Sequence, residues 1–317
     1  MGEPPIPPTA PPNGLAPDEL RVRPGADGTL AIDPERAGWR YLSFRSLRLA
    51  AGETHELGRA GHETALVVLA GGGAVVEPEK AQAIELAGRT SVWDGLPWAA
   101  YLPVDRRARV TGRPFEGHEA VLLAIAEAPR SGRPGVAREP IRITPDDVAV
   151  EVRGAGNATR QISHIVTPET PADRLLIVEV YTPSGNWSSW PPHKHDEDAM
   201  PGEAVLEEIY YYQFRRPEAW AIQRLYRRPG TPAEIAAGPR DGLWAVRHGE
   251  LVLVTDGYHP FAAAHGDDAY YLNALAGDRR TMACSFDPDL DFVRAEWTTM
   301  SVDSRVPLVS QPKGRRR

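Results

Sequence analysis

The sequence predicts an all-β chain built as two tandem β-barrels or sandwiches. Three observations carry this expectation. Short runs rich in β-branched and aromatic residues recur along the chain, each bounded by Gly, Pro, Asp or Asn. Long amphipathic periodicity of the helical kind is hard to find. The 31 prolines and 29 glycines are spread out, as suits many short elements joined by turns.

In chain order, MGEPPIPPTAPP holds six prolines and predicts a disordered arm over residues 1–18. Strand-like runs follow at 39–49, 64–77 and 120–128. The polar, turn-rich stretch APRSGRPGVAREP (128–140) reads as a linker. ITPDDVAVEV carries helix-start chemistry at Thr144–Pro145 but reads better as a link into the second half. A second group of strand-like runs covers 174–183, 207–214, 220–227, 243–257 and 269–277. Each half has a strand pair around a glycine turn, LVVLAGGGAVV in the first and VRHGELVLV in the second. The expected division is 19–135 and 136–305, with a basic tail at 306–317.

Composition narrows the function. Hydrophobic content of 42% and charged content of 25% are ordinary for a globular chain. The net charge of −7 argues against a nucleic-acid partner, whose phosphates demand a basic face. One cysteine, Cys284, excludes an internal disulfide and points to a reducing compartment. The N-terminus lacks a positive region followed by an apolar run, and no stretch is long enough to span a membrane. A cytoplasmic protein with no membrane partner is expected. Exposed sheet edges invite pairing, so a homo-oligomer is expected too.

The chemistry concentrates in WPPHKHDEDA (190–199). On an extended segment His193 and His195 face the same way and Lys194 faces away. The bland reading is a polar turn after Pro191–Pro192. EEIYYYQF (207–214) opens with two carboxylates, and an unpaired charge is expensive to bury in a strand. Alternation puts Glu208, Tyr210 and Tyr212 on one face and Glu207, Ile209 and Tyr211 on the other. DGYHPF (256–261) adds His259 after a glycine turn. Two histidines, one glutamate and a third histidine would close a metal site with an open coordination position. His55 and His62 could mimic such a site in the first half, but no Glu-aromatic strand or late GYH turn accompanies them.

These residues resemble the cupin metal motifs. GNWSSWPPHKHDED (185–198), LEEIYYYQF (206–214), QRLY (223–226), GYHPF (257–261) and YYLNALAG (270–277) are similar to the 5-deoxy-glucuronate isomerase family of inositol catabolism. RGAGNATRQI (153–162) fits the same family. The resemblance is strong over about 150–300, and over 20–130 it lies in overall organisation. It implies a bicupin: two tandem cupin-type, jelly-roll-like barrels, the first without a complete metal site. It implies isomerisation of 5-deoxy-D-glucuronate to 5-dehydro-2-deoxy-D-gluconate. It makes His193, His195, Glu208 and His259 ligands of one divalent metal, zinc by family analogy, with manganese, iron and nickel as alternatives.

The departures are Thr255, where the family has proline, the poorly matching segment 227–242, and AGDRRTM (276–282). The segment 227–242 is expected to contribute to the substrate pocket. Isomerisation needs a base reaching two adjacent carbons. The candidates are Glu207, Tyr210, Tyr212 and Asp196, with core packing as the alternative for the tyrosines. A guanidinium should meet the substrate carboxylate. Arg160 and Arg224 are the candidates, with Gln223 beside them. Gln223 and Arg224 cannot both point inward from a regular strand. An isomerase of another sugar acid, an iron dioxygenase and a non-catalytic sugar-acid binder are the rival readings.

Overall fold

The structure is a computed structural model that describes residues 15–310. Most of the expected N-terminal arm and of the basic tail lies outside the described residues. Pro17–Leu20, which overlaps the last two residues of that arm, forms a helical turn, and Leu20 just beyond the arm is fully buried.

The chain is all-β, with every strand pair antiparallel. A seven-stranded sheet runs Arg21–Val22, Leu251–Val254, Glu207–Phe214, Ala269–Ala276, Leu175–Thr182, Arg160–Val166, Ala149–Arg153. A six-stranded sheet runs Ile141–Ile143, Ala99–Leu102, His62–Ala70, Ala120–Pro129, Ser43–Ala50, Ala31–Ile32. Each is accompanied by a four-stranded sheet. In the second half this is Trp187–Ser188, Phe261–Ala263, Trp220–Tyr226, Asp241–Arg247. In the first it is Thr54–Leu57, Ala108–Pro114, Gly72–Pro78, Ile84–Arg89. Aligned from Leu251–Val254 and Ala99–Leu102 onward, the two halves repeat one strand order, so the architecture is duplicated although the sequences barely show it.

Burial follows position. Asp241–Arg247 alternates exposed and buried, as a strand with one wet face must. Glu207–Phe214 is buried along its whole length. Its odd-numbered residues Ile209 and Tyr211 join a core shared by both halves, which also holds Phe44, Val67, Tyr101 and Ile177. The Phe44 and Tyr211 rings lie 5.5 Å apart. Leu66, Val68, Val76, Val110 and Leu123 form a separate core inside the first half.

Two strands cross the expected boundary. Arg21–Val22 pairs with Leu251–Val254 of the second half, and Ile141–Ile143 pairs with Ala99–Leu102 of the first. Each half therefore completes a sheet of the other. Two carboxylates reinforce the exchange. Glu63 accepts the backbone N–H groups of Asp173, Arg174 and Leu175 at 2.6–2.8 Å. Glu207 accepts those of Arg40, Tyr41 and Leu42 at 2.6–2.9 Å. The two residues hold equivalent places, opposite Ala128 and Ala276 respectively. A buried ion pair of Arg89 with Glu179 also joins the halves, and Glu179 accepts from the Tyr181 and Tyr270 hydroxyls.

Replacing Glu207 by Ala strands three N–H groups, that of Leu42 buried and those of Arg40 and Tyr41 partly so, and Glu207→Ala should destabilise the chain by about 2 kcal/mol. Denaturant unfolding reads the loss, and hydrogen exchange should quicken at residues 40–42. Unchanged exchange there would refute the clamp.

Candidate metal centre

The second half builds its site from three directions. Glu208 stands early in the fully buried strand, opposite Val254 and Leu275. Alternation sends it to the face opposite Glu207, into the half's own interior. His259 follows the turn at Asp256–Gly257. Gly257 has φ +80°, and a Cβ there would lie 2.5 Å from the Tyr226 carbonyl oxygen, so only glycine fits. Asp256 is held by Arg227 at 2.6 Å and by Arg240. Arg240 also donates to the Thr255 hydroxyl at 2.7 Å, which gives the departure from proline a structural use.

The third direction is the His-x-His segment. His193–Lys194 pairs with Ser285–Phe286. Lys194 turns outward to Asp196, Glu197 and Glu203 at 2.6–2.9 Å. His195 is fixed twice by Leu206: its carbonyl accepts the Leu206 N–H at 3.0 Å, and its Nδ1 lies 2.9 Å from the Leu206 oxygen.

The ligand atoms of His195, Glu208 and His259 lie within 4.8 Å of one another, and all three residues are buried. His195 Nε2 is 2.8 Å from Glu208 Oε2, and His259 Nε2 is 3.4 Å from the same oxygen. His259 Nδ1 lies 3.0 Å from the Gly257 carbonyl oxygen. Both imidazoles thus commit Nδ1 to a backbone carbonyl, which directs the Nε2 lone pair inward. His193 stands beside the trio, its ring centroid 4.5 Å from His259 and 6.4 Å from His195.

Electrostatics agree with a cation site. Burial lowers the His259 pKa to about 4, and burial with the neighbouring imidazoles holds His193 well below the usual value. Burial works against ionisation of His195 as well, but the hydrogen bond and charge of Glu208 outweigh it and raise its pKa. His259 Nε2 is buried with no hydrogen-bond partner. An orphaned buried acceptor is expensive, and a divalent cation bound by imidazole and carboxylate would satisfy it. The residues present fit a metal.

His195 and Glu208 of the cluster, with His193, line a cavity of about 700 Å³, while His259 is fully buried beside them. Arg160 lines it, 5% exposed, with its guanidinium 5.7 Å from the Trp297 ring. Its Nη1 donates to the Ala158 carbonyl at 3.1 Å, and no carboxylate among the described residues pairs with it. Burial lowers its pKa to about 10, which leaves it charged at neutral pH.

Other expected site residues are placed elsewhere. Glu207 is committed to residues 40–42 and cannot be the base. Arg224 lies outside, paired with Asp241 at 2.7 Å and stacked over Tyr226. Gln223 points inward, as the alternation allows, but its amide donates to the carbonyls of His259 and Pro260 at 2.9 and 3.1 Å. It accepts from the Tyr212 hydroxyl at 2.9 Å, so both residues brace the His259 backbone rather than meet substrate. Tyr210 bonds Ser189 at 2.7 Å, with its ring 5.8 Å from His259. Burial holds both tyrosine pKa values well above normal, which unsuits them as bases. Asp196 is occupied by Lys194 and by the Gly257 N–H at 2.7 Å. None of 227–242 lines the cavity; that segment instead forms the helix Pro232–Ala237 and supplies Arg227 and Arg240.

Sequence reasoning missed the far wall. Cys284, Phe286, Arg294 and Trp297 line the cavity from the segment after the last long strand. They carry no metal-ligand or catalytic spacing. Only the strand pairing of Phe286 with His193 brings them in.

Fold and site together define a bicupin with one candidate metal centre among the described residues, in its second half. The KduI/IolB family model matches residues 17–293, and the chain belongs to that family. It is 38% identical over 274 residues to the 5-deoxy-glucuronate isomerase of Geobacillus kaustophilus, covering 85% of this chain and 92% of the relative. The Geobacillus thermodenitrificans 5-deoxy-glucuronate isomerase is 37% identical, with 85% and 93% covered. Among solved structures, an IolB-like protein of Salmonella typhimurium superposes with a TM-score of 0.77 at 33% identity, covering 87% of this chain and 99% of that one. Lactobacillus farciminis oxalate decarboxylase shares the fold alone, with a TM-score of 0.54 at 8% identity, over 81% of this chain and 83% of that one.

Purified protein should hold about one divalent metal per chain. His259→Ala should weaken metal retention by about 10-fold or more. Elemental analysis after dialysis reads both, and a metal-free wild type that cannot be loaded would remove the site.

Proposed function

We propose that the chain is a metal-dependent aldose–ketose isomerase that converts 5-deoxy-D-glucuronate to 5-dehydro-2-deoxy-D-gluconate. The observation that carries this reading is one cavity that joins the His–Glu–His cluster to a buried guanidinium with no carboxylate partner. Its two relatives above, both 5-deoxy-glucuronate isomerases, support the same substrate.

The reaction moves a proton from the carbon beside the aldehyde to the former aldehyde carbon, and the neighbouring alcohol becomes a ketone. His195, Glu208 and His259 would hold a divalent cation, with His193 as the neighbouring fourth ligand; zinc in our assignment, with manganese, iron or nickel suited to the same donors, would supply Lewis-acid polarisation of the carbonyl. Arg160 takes the substrate carboxylate in a bidentate pair and so fixes which end of the sugar acid meets the cluster. Trp297 and Phe286 wall the cavity and limit water beside the reacting carbons. Tyr210 keeps its proton and serves as a hydrogen-bond donor next to the cluster. A cytoplasmic setting and a homo-oligomer belong to the same reading.

Metal-loaded enzyme should isomerise 5-deoxy-D-glucuronate equally well with and without oxygen. Arg160→Gln should raise KM by about 10–100-fold with a smaller effect on kcat. Turnover that requires oxygen would instead indicate a dioxygenase. Binding without turnover under any metal would indicate a sugar-acid-binding bicupin.

A further inference from the structure

The duplicated architecture asks what the first half does with the place where the second half holds its cluster. The registers answer position by position. Thr64 lies opposite Glu127 and Leu102, as Glu208 lies opposite Leu275 and Val254. Thr64 is therefore the counterpart of the cluster carboxylate. Arg107 lies five residues beyond Leu102, as His259 lies five beyond Val254. The loop after Thr54–Leu57 carries Arg59, where the loop after Trp187–Ser188 carries His193 and His195. Thr64 thus stands where the cluster carboxylate stands, and the loops that carry the histidines in the second half carry Arg59 and Arg107 in the first.

The place is still a cavity, of about 410 Å³, lined among others by Arg45, His55, Arg59, Arg107 and Glu127. Gly58 brings its two loops together: a Cβ there would stand 2.2 Å from the Arg106 carbonyl oxygen. Three arginines line it. Arg45 is 3.5 Å from Glu127, whose other oxygen accepts from Thr64 at 3.3 Å. Glu56 at the rim is paired outward with Arg109 at 3.0 Å. The side chains of Arg59 and Arg107 have no hydrogen bond or ion pair among the described residues. Burial and the charge of Arg45 together lower the pKa of His55 in the same wall.

We infer that the first half holds a second ligand site, selective for a small hydroxy acid. Its carboxylate would sit between Arg59 and Arg107, a geometry that suits guanidinium forks. Its hydroxyls would donate to Glu127, which Arg45 and Thr64 keep anchored in the wall. Neutral sugars lack the anion that the two free arginines demand, and sulfate lacks the hydroxyls from which Glu127 would accept. The site is separate from the metal centre, so it stands or falls independently of the isomerase reading.

The test is calorimetric titration of the intact, metal-loaded Arg160→Gln protein, whose second-half anchor is removed. Gluconate should bind saturably in the millimolar range, and sorbitol should not bind. Adding Arg107→Gln or Arg59→Gln should weaken gluconate binding by about 10-fold. Both residues are exposed, so these variants should fold, and thermal unfolding verifies that. Absence of gluconate binding would overturn the inference, as would binding that neither substitution alters. Sulfate binding as tightly as gluconate would overturn the hydroxy-acid assignment.

Discussion

The structure turns on two adjacent carboxylates of one strand. Glu207 and Glu208 point to opposite faces because the side-chain period of a strand is two. One gathers three N–H groups of the first half, and the other enters the candidate metal cluster. A slip of one residue would either put Glu208 at the seam and leave the imidazoles facing Ile209, or bring Glu207 to the imidazoles and leave the seam N–H groups facing Leu206. The aromatic run behind them resists that slip. Tyr211 is locked into the shared core and Tyr212 into the Gln223 clamp. Fold specificity and site geometry therefore rest on the same eight residues.

The cluster itself is poorly suited to exist without a cation. Two imidazoles and a carboxylate are removed from water, and one imidazole nitrogen finds no partner. Burying such groups disfavours the folded state unless they are paired. Around them nearly every polar atom is already spoken for: Nδ1 of His195 and His259 by carbonyls, the His259 and Pro260 carbonyls by Gln223, the Gly257 N–H by Asp196. This outer layer leaves the inward nitrogens as the free chemistry of the site, and it fixes their direction before any ion arrives.

Much of this was legible in the sequence, for physical reasons. Alternation along EEIYYYQF separates Glu208 from Glu207, and the spacing of His193 and His195 sends Lys194 away from both. What alternation cannot show is which partner waits on each face. Glu207 looked like a catalytic candidate because an unpaired charge in an aromatic strand needs a use. Its use is three backbone amides some 165 residues away in sequence. Arg224 and Arg160 were equal on residue type, and only burial separates them: one is half in solvent with Asp241, the other enclosed with no carboxylate. The far wall of the cavity and the exchanged strands depend on long-range pairing, which no local pattern encodes.

The strand exchange also explains why a half without a metal cluster is retained in this architecture. Arg21–Val22 edges the sheet that carries Glu208, and Ile141–Ile143 edges its counterpart. Neither half keeps its own edge, so neither can be removed without opening the other. Glu63 and Glu207 repeat that reciprocity through hydrogen bonds, and Arg89 with Glu179 repeats it through charge. Under such coupling the first half can carry Thr64, Arg59 and Arg107 where the second carries cation donors, while the backbone frame stays the same. The duplicated frame preserves the cavity, and the side chains at its mouth decide what charge it accepts.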